Sequence, residues 1–189
     1  LLTVLPVKAE ARTLIVPDDY PTISAAIQNA SAGDTVLVRK GTYQETSIQL
    51  NKSLSLIAED VNGTILNLDP PLLKTNILRN WLWIPSSAIT INADNVKLQG
   101  FTINIPRANY GYGGGLHAKG DRIELIDNRI ENNSLYLSGA SAIIKGNLFA
   151  DTLEVIGSNQ TISENSIKSL KIQGSYGRIS CNKITDNSI

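Results

Sequence analysis

The chain has 189 residues, 42% of them hydrophobic, which is enough for one domain with a sizeable core. Its 17 basic and 17 acidic residues cancel, so no electrostatic argument points to nucleic acid as a partner, and no polybasic run points to a membrane surface. A single cysteine, Cys181, excludes an internal disulfide framework and a cysteine-based metal site.

Residues 1–11, LLTVLPVKAEA, are an apolar run that ends in small residues at alternate positions, Ala9 and Ala11. In a chain without methionine this stretch reads as the remnant of a secretion signal cleaved after Ala11. The implied location is outside the cytoplasm: secreted, extracellular or cell-surface, the periplasm included. No other apolar run is long enough to span a membrane. Residues 12–189 read as one domain, with an N-terminal strand and cap over 12–33 and coils over 34–189.

Thr13 to Val16 has the composition of a strand, broken by Pro17, Asp18 and Asp19. Next comes YPTISAAIQNA, with Pro21 near a helix start and Ile23, Ala26, Ile27 and Ala30 at helical spacing. A short amphipathic helix of about ten residues is expected there, suited to closing the end of a stack of coils. Short alternating runs follow, at residues 48–50, 54–57 and 65–68, separated by Gly and Asn turns. Residues 70–87, PPLLKTNILRNWLWIPSS, are longer than a turn and hold both tryptophans.

From residue 123 the chain repeats. Aligned on one asparagine, it reads IELIDNRIEN, AIIKGNLFAD, QTISENSIKS and GRISCNKITD, with Asn128, Asn147, Asn165 and Asn182 in the shared position. Apolar residues stand three before each asparagine (Leu125, Ile144, Ile162, Ile179) and two after it (Ile130, Phe149, Ile167, Ile184). An older copy, VKLQGFTI at 96–103, carries Phe101 where the others have asparagine. Twelve residues before each aligned position lies an alternating triplet: Ile89-Thr90-Ile91, Leu116-His117-Ala118, Leu135-Tyr136-Leu137, Leu153-Glu154-Val155 and Leu170-Lys171-Ile172. Units of about 18 residues, with strands too short for helices and rich in turn formers, predict a parallel β-helix of about six to seven coils, stacked about 4.8 Å apart. Cys181, beside a ladder asparagine, is expected to be a small buried or half-buried residue. The final repeat has no helix or polar cap after it, so the expectation is that further coils or a partner cover that end.

Residues 16–59, VPDDYPTISAAIQNASAGDTVLVRKGTYQETSIQLNKSLSLIAE, resemble the N-terminal signature of secreted right-handed parallel β-helix proteins with a pectin-lyase-like fold. That superfamily includes pectin methylesterases, polysaccharide lyases, NosD-like periplasmic proteins and surface proteins built of parallel β-helix repeats. With the asparagine repeats, the resemblance covers about four fifths of the chain. It implies an all-β right-handed solenoid in which Asn128, Asn147, Asn165 and Asn182 form a structural ladder, each side-chain amide bonding the next. It implies no single activity, because one fold of this kind carries many functions.

Two sets of residues are candidates for chemistry. The triplet centres Thr90, His117, Tyr136, Glu154 and Lys171 are expected to form one outward row. His117 and Tyr136 on adjacent coils are the base and acid that β-elimination of an acidic sugar requires, with Glu154 and Lys171 beyond them. The alternative is a solvated polar row of the kind every solenoid displays. The second set is aromatic: Trp81 and Trp83 alternate, and Tyr110 and Tyr112 lie in the Gly-rich stretch 105–115, which lengthens one repeat by some nine residues. Such rings pack on sugar faces, although the tryptophans equally serve to hold their own segment down.

The superfamily's enzymatic patterns have no counterpart here. His117 sits in GLHAKG rather than Gly-His-Gly, the methylesterase aspartates are absent, and the carboxylates fall at scattered offsets, unlike a calcium site. One histidine, one cysteine and no methionine do not make a copper site, so neither a metal nor a cofactor is assigned. The reading favoured by the sequence is a non-enzymatic extracellular scaffold, binding polysaccharide or cell-surface glycan through the inserted aromatic segments. The alternative is a polysaccharide lyase or glycoside hydrolase acting on acidic polysaccharide.

Overall fold

The computed structural model describes residues 10–69, 87–105, 115–131, 133–175 and 177–186. The chain is a right-handed parallel β-helix. Every strand pairing among the described residues is parallel, and the middle coils contribute strands to three columns. The first column is an eight-stranded sheet made of Thr13–Val16, Thr35–Val38, Ser55–Ala58, Lys97–Gln99, Glu124–Ile126, Ile143–Lys145, Thr161–Ser163 and Arg178–Ser180, in that order. The second column stacks Gly41–Glu45, Thr64–Leu68, Thr102–Asn104, Arg129–Glu131 and the start of Leu148–Ile156. The third stacks Ile48–Leu50, Ile89–Ile91, Leu116–Lys119, Leu135–Ser138 and the remainder of that same long strand.

Period-two alternation dictates this arrangement. In the first column Leu14, Val36, Leu56, Leu98, Leu125, Ile144 and Ile162 stand in register and are all buried. Each contributes about 1.5–3 kcal/mol by leaving water, but only because the coils above and below cover it. In the last described coils Ile172, Ile179 and Ile184 are 39%, 52% and 44% exposed.

The asparagine ladder fills the turn between the first two columns. Asn147 Oδ1 accepts from the backbone N–H and the side-chain amide of Asn128 (2.9 and 3.1 Å), while Asn147 Nδ2 donates to Leu125 O (2.7 Å) and Asn165 Oδ1 (3.0 Å). Asn165 and Asn182 repeat the pattern one coil on. Asn128 closes the ladder by accepting from Phe101 N at 3.1 Å, so Phe101, with an apolar ring fully buried, marks its N-terminal end. The residue before each rung (Gly100, Asp127, Gly146, Glu164, Cys181) has positive φ, between 53° and 80°. That left-handed corner turns the side chain outward. Cys181 is therefore exposed rather than buried or half-buried.

The helix is Ile23–Asn29, seven residues rather than about ten. Pro21 stands just before the N-cap, Thr22, whose Oγ1 accepts from Ala25 N, and Ala30 is already extended. Ile23, Ala26 and Ile27 are buried under the first coil. Two charges from that coil hold its ends. Glu45 accepts from Ile23 N (2.7 Å), Ser24 N (3.3 Å) and Ser24 Oγ (2.7 Å), and Lys52 Nζ donates to the carbonyls of Ile27, Gln28 and Ala30. The signs match the helix dipole, negative at the N-terminus and positive at the C-terminus. Asp19 closes the free edge of the first strand, its carboxylate accepting from Ile15 N at 2.8 Å.

A buried carboxylate ties the N-terminal strand to the next coil. Asp34, 1% exposed, accepts from the backbone N–H of Arg12 and of Ser31, both at 2.8 Å, and from the Arg12 guanidinium at 3.1 Å. Those donors, the Arg12 N–H foremost, hold its carboxyl below the ordinary value of 3.8. A carboxyl acidified by folding contributes stability that is complete above its unfolded pKa and is lost as pH falls through the folded one. The urea midpoint is therefore expected to drop between about pH 5 and about pH 3, and Asp34→Asn to flatten that limb. An unchanged acid limb in the variant would show that other carboxylates carry it.

Candidate functional site

The outward row of the third column is in register. Gln49, Thr90, His117, Tyr136, Glu154 and Lys171 are consecutive Cα partners. Pairing alone fixes this, because one inward-pointing neighbour on each side of the triplet centre forces the centre out. The rings of His117 and Tyr136 have centroids 4.6 Å apart and are tilted by 43°. Both rings are half-buried, as is Glu154, while Lys171 is exposed.

These side chains share a cleft of about 190 Å³, which Ser87, Gly115, Ser134 and Thr152 complete. Thr152 enters through an irregularity in Leu148–Ile156, where the register shifts between Phe149 and Thr152 and Asp151 Oδ1 takes the Thr152 N–H at 2.9 Å. Burial holds the His117 imidazole below its ordinary value of 6.5, so it is neutral at pH 7. Its ring nitrogens have no hydrogen-bond partner among the described residues. A neutral imidazole, a phenol, a carboxylate, an ammonium and three hydroxyls thus line one surface. Together they offer donors, acceptors and two ring faces to a polyhydroxylated ligand.

Two described residues that border the long insertions in sequence belong to this cleft. Residues 69–88 join Thr64–Leu68 to Ile89–Ile91, and residues 105–115 join Thr102–Asn104 to Leu116–Lys119. The residues at which the described chain resumes, Ser87 and Gly115, belong to the cleft wall. Gly115 runs so close to the next coil that a Cβ there would overlap the carbonyl of Ser134. Trp81, Trp83, Tyr110 and Tyr112 lie outside the described residues.

No protein-family model matches the chain, and no curated protein matches it by sequence. Among solved structures it is similar to a pectin methylesterase variant in complex with a hexasaccharide, at 14% identity and a TM-score of 0.47, and to pectin methylesterase with a second hexasaccharide, at 15% and 0.44. Each likeness covers 87% of this chain and 67% of the other. Likenesses this distant carry no residue roles across.

Of the row expected from the sequence, His117, Tyr136, Glu154 and Lys171 therefore line one cleft and Thr90 does not, and the structure adds Ser87, Ser134 and Thr152. These hydroxyls left no signal in the repeat, since Thr152 reaches the cleft only through the strand irregularity and Ser87 only through an insertion. A second depression, of about 380 Å³, lies against the first sheet and is lined by Ser55, Asn95, Lys97, Arg122, Glu124, Ser141 and Ile143, with Val96. Its charges are matched within the protein: Lys97 pairs with Glu124 at 3.8 Å, and Arg122 pairs with Asp94 at 3.7 Å and bonds Asn95 Oδ1 at 2.7 Å. Among the described residues no three His, Cys, Asp or Glu side chains gather as a metal site.

Proposed function

We propose that this chain is a secreted or cell-surface β-helix scaffold that binds polysaccharide in the His117–Tyr136 cleft without turning it over. The observation that carries the reading is the tilted His117–Tyr136 ring pair in register with Glu154 and Lys171, in a cleft whose wall includes Ser87 and Gly115. Half-buried rings beside hydroxyls suit a sugar, whose C–H face packs on an aromatic while its hydroxyls reach polar neighbours. Trp81, Trp83, Tyr110 and Tyr112 extend that surface in this reading.

A second reading, a lyase or hydrolase of acidic polysaccharide, is favoured by one feature: the neutral His117 imidazole stands one rung from the Tyr136 hydroxyl. In β-elimination the imidazole would take the proton beside the sugar carboxylate, and the glycosidic oxygen would leave with the phenolic proton. A panel of acidic and neutral polysaccharides separates the readings. Binding without new reducing ends or unsaturated product, weakened about tenfold by His117→Ala or Tyr136→Ala, supports the scaffold. Unsaturated product that disappears in His117→Ala and Tyr136→Phe supports the enzyme. Binding to no glycan in the panel removes both.

A further inference from the structure

The cleft keeps two opposite charges apart where a like-placed pair in the first sheet closes. In the first sheet Lys97 and Glu124 are register partners on adjacent coils, and their side chains close to 3.8 Å. Across the turns, Lys145 pairs with Glu164 at 3.4 Å and Arg122 with Asp94 at 3.7 Å. Glu154 and Lys171 stand in the same register relation as Lys97 and Glu124, yet no ion pair joins them, and neither side chain has a hydrogen-bond partner among the described residues. A carboxylate and an ammonium one rung apart are both left to a ligand.

Their spacing specifies the ligand's order. Adjacent rungs are about 4.8 Å apart, and an extended chain of hexoses advances by nearly the same distance per sugar. Charges on successive rungs therefore address successive sugars, an acidic group at Lys171 and a cationic group at Glu154. The His117 imidazole in the cleft wall does not disturb that balance, because it is neutral at pH 7. Nor does the protein as a whole, with 17 charges of each sign, draw in a polyanion from a distance. Given the polysaccharide-binding reading, on which this inference rests, we propose that the cleft selects a dipolar polysaccharide in which acidic sugars alternate with sugars carrying a free ammonium.

The test uses the full chain and two polymers of equal length: alternating glucuronic acid and glucosamine, and its N-acetylated counterpart, which keeps every carboxylate and lacks the ammonium. In a binding titration at low salt the free-amine polymer is expected to bind about fivefold more tightly, the worth of one partly exposed ion pair. Glu154→Gln should erase that preference, bringing the two polymers to equal affinity, and Lys171→Gln should weaken both. Both substitutions are on the outward row, so retained strand content by circular dichroism is expected and checks the fold. Equal binding of the two polymers, or a preference that survives Glu154→Gln, overturns the dipolar inference and leaves polysaccharide binding standing. Binding of neither overturns the dipolar inference, and binding to no glycan in the wider panel overturns the polysaccharide reading as well.

Discussion

Asn147→Ala is expected to destabilise the protein by about 4 kcal/mol, since a buried polar group stranded without a partner costs about 1–3 kcal/mol and this substitution strands several. The Asn147 side chain is the acceptor for the Asn128 backbone N–H and side-chain amide, and the donor to Leu125 O and Asn165 Oδ1. Asn128 and Asn165 are each 2% exposed, so water does not replace what is lost. Asn182, the last rung, is half-buried and accepts from Asn165 N and Nδ2 while donating to Ile162 O. Asn182→Ala should cost about 1–2 kcal/mol, because solvent reaches the groups it frees. Urea unfolding of the two variants checks the contrast. Equal losses, or a loss below about 1 kcal/mol for Asn147→Ala, would mean that the ladder follows the fold rather than holding it.

The architecture can be read from the chain because the coils repeat their inward residues. Once Asn128, Asn147, Asn165 and Asn182 are aligned, the triplets fall twelve residues earlier and the row from Thr90 to Lys171 follows from the pleat alone. Periodicity reports which way a side chain points, and a β-helix is little more than that rule applied coil after coil. The helix is shorter than its apolar stripe, which runs on to Ala30, a residue that is buried but extended. Lys52, 22 residues downstream of Ala30, satisfies the carbonyls at that end, and no local pattern announces a cap that comes from another coil.

The cleft is only partly legible for a related reason. His117, Tyr136, Glu154 and Lys171 obey the repeat and so can be placed in one row. Ser87 and Thr152 belong to its interruptions, an insertion and a strand irregularity, where the repeat predicts nothing. Cys181 illustrates the converse failure. Its neighbour Asn182 is a ladder rung facing in, but the left-handed corner before each rung turns Cys181 toward solvent. The period gives that residue its place in the coil and says nothing of the handedness of its turn.

The glycines follow a ladder of their own, and its disruption is the severest change expected. Gly120, Gly139, Gly157 and Gly174 are spaced 19, 18 and 17 residues apart, the same intervals as the asparagines, and they stack at the corner that leads back to the first sheet. A Cβ on Gly157 would overlap the backbone carbonyl of Gly139, and one on Gly174 that of Gly157. The obstacle is backbone, which cannot rotate aside as a side chain would. Gly157 also has φ of +141°, where an L-residue is strained in any space. Gly157→Ala must therefore push adjacent coils apart, and a loss of about 4 kcal/mol is expected from steric overlap and backbone strain together. Gly33 separates the two causes: its φ is +93° but nothing lies within 4 Å of its added Cβ. Gly33→Ala should show the strain alone, about 1 kcal/mol. Denaturant unfolding of both variants decides the matter. If Gly157→Ala lost no more than Gly33→Ala, the close approach of the coils at this corner would not be what demands glycine there.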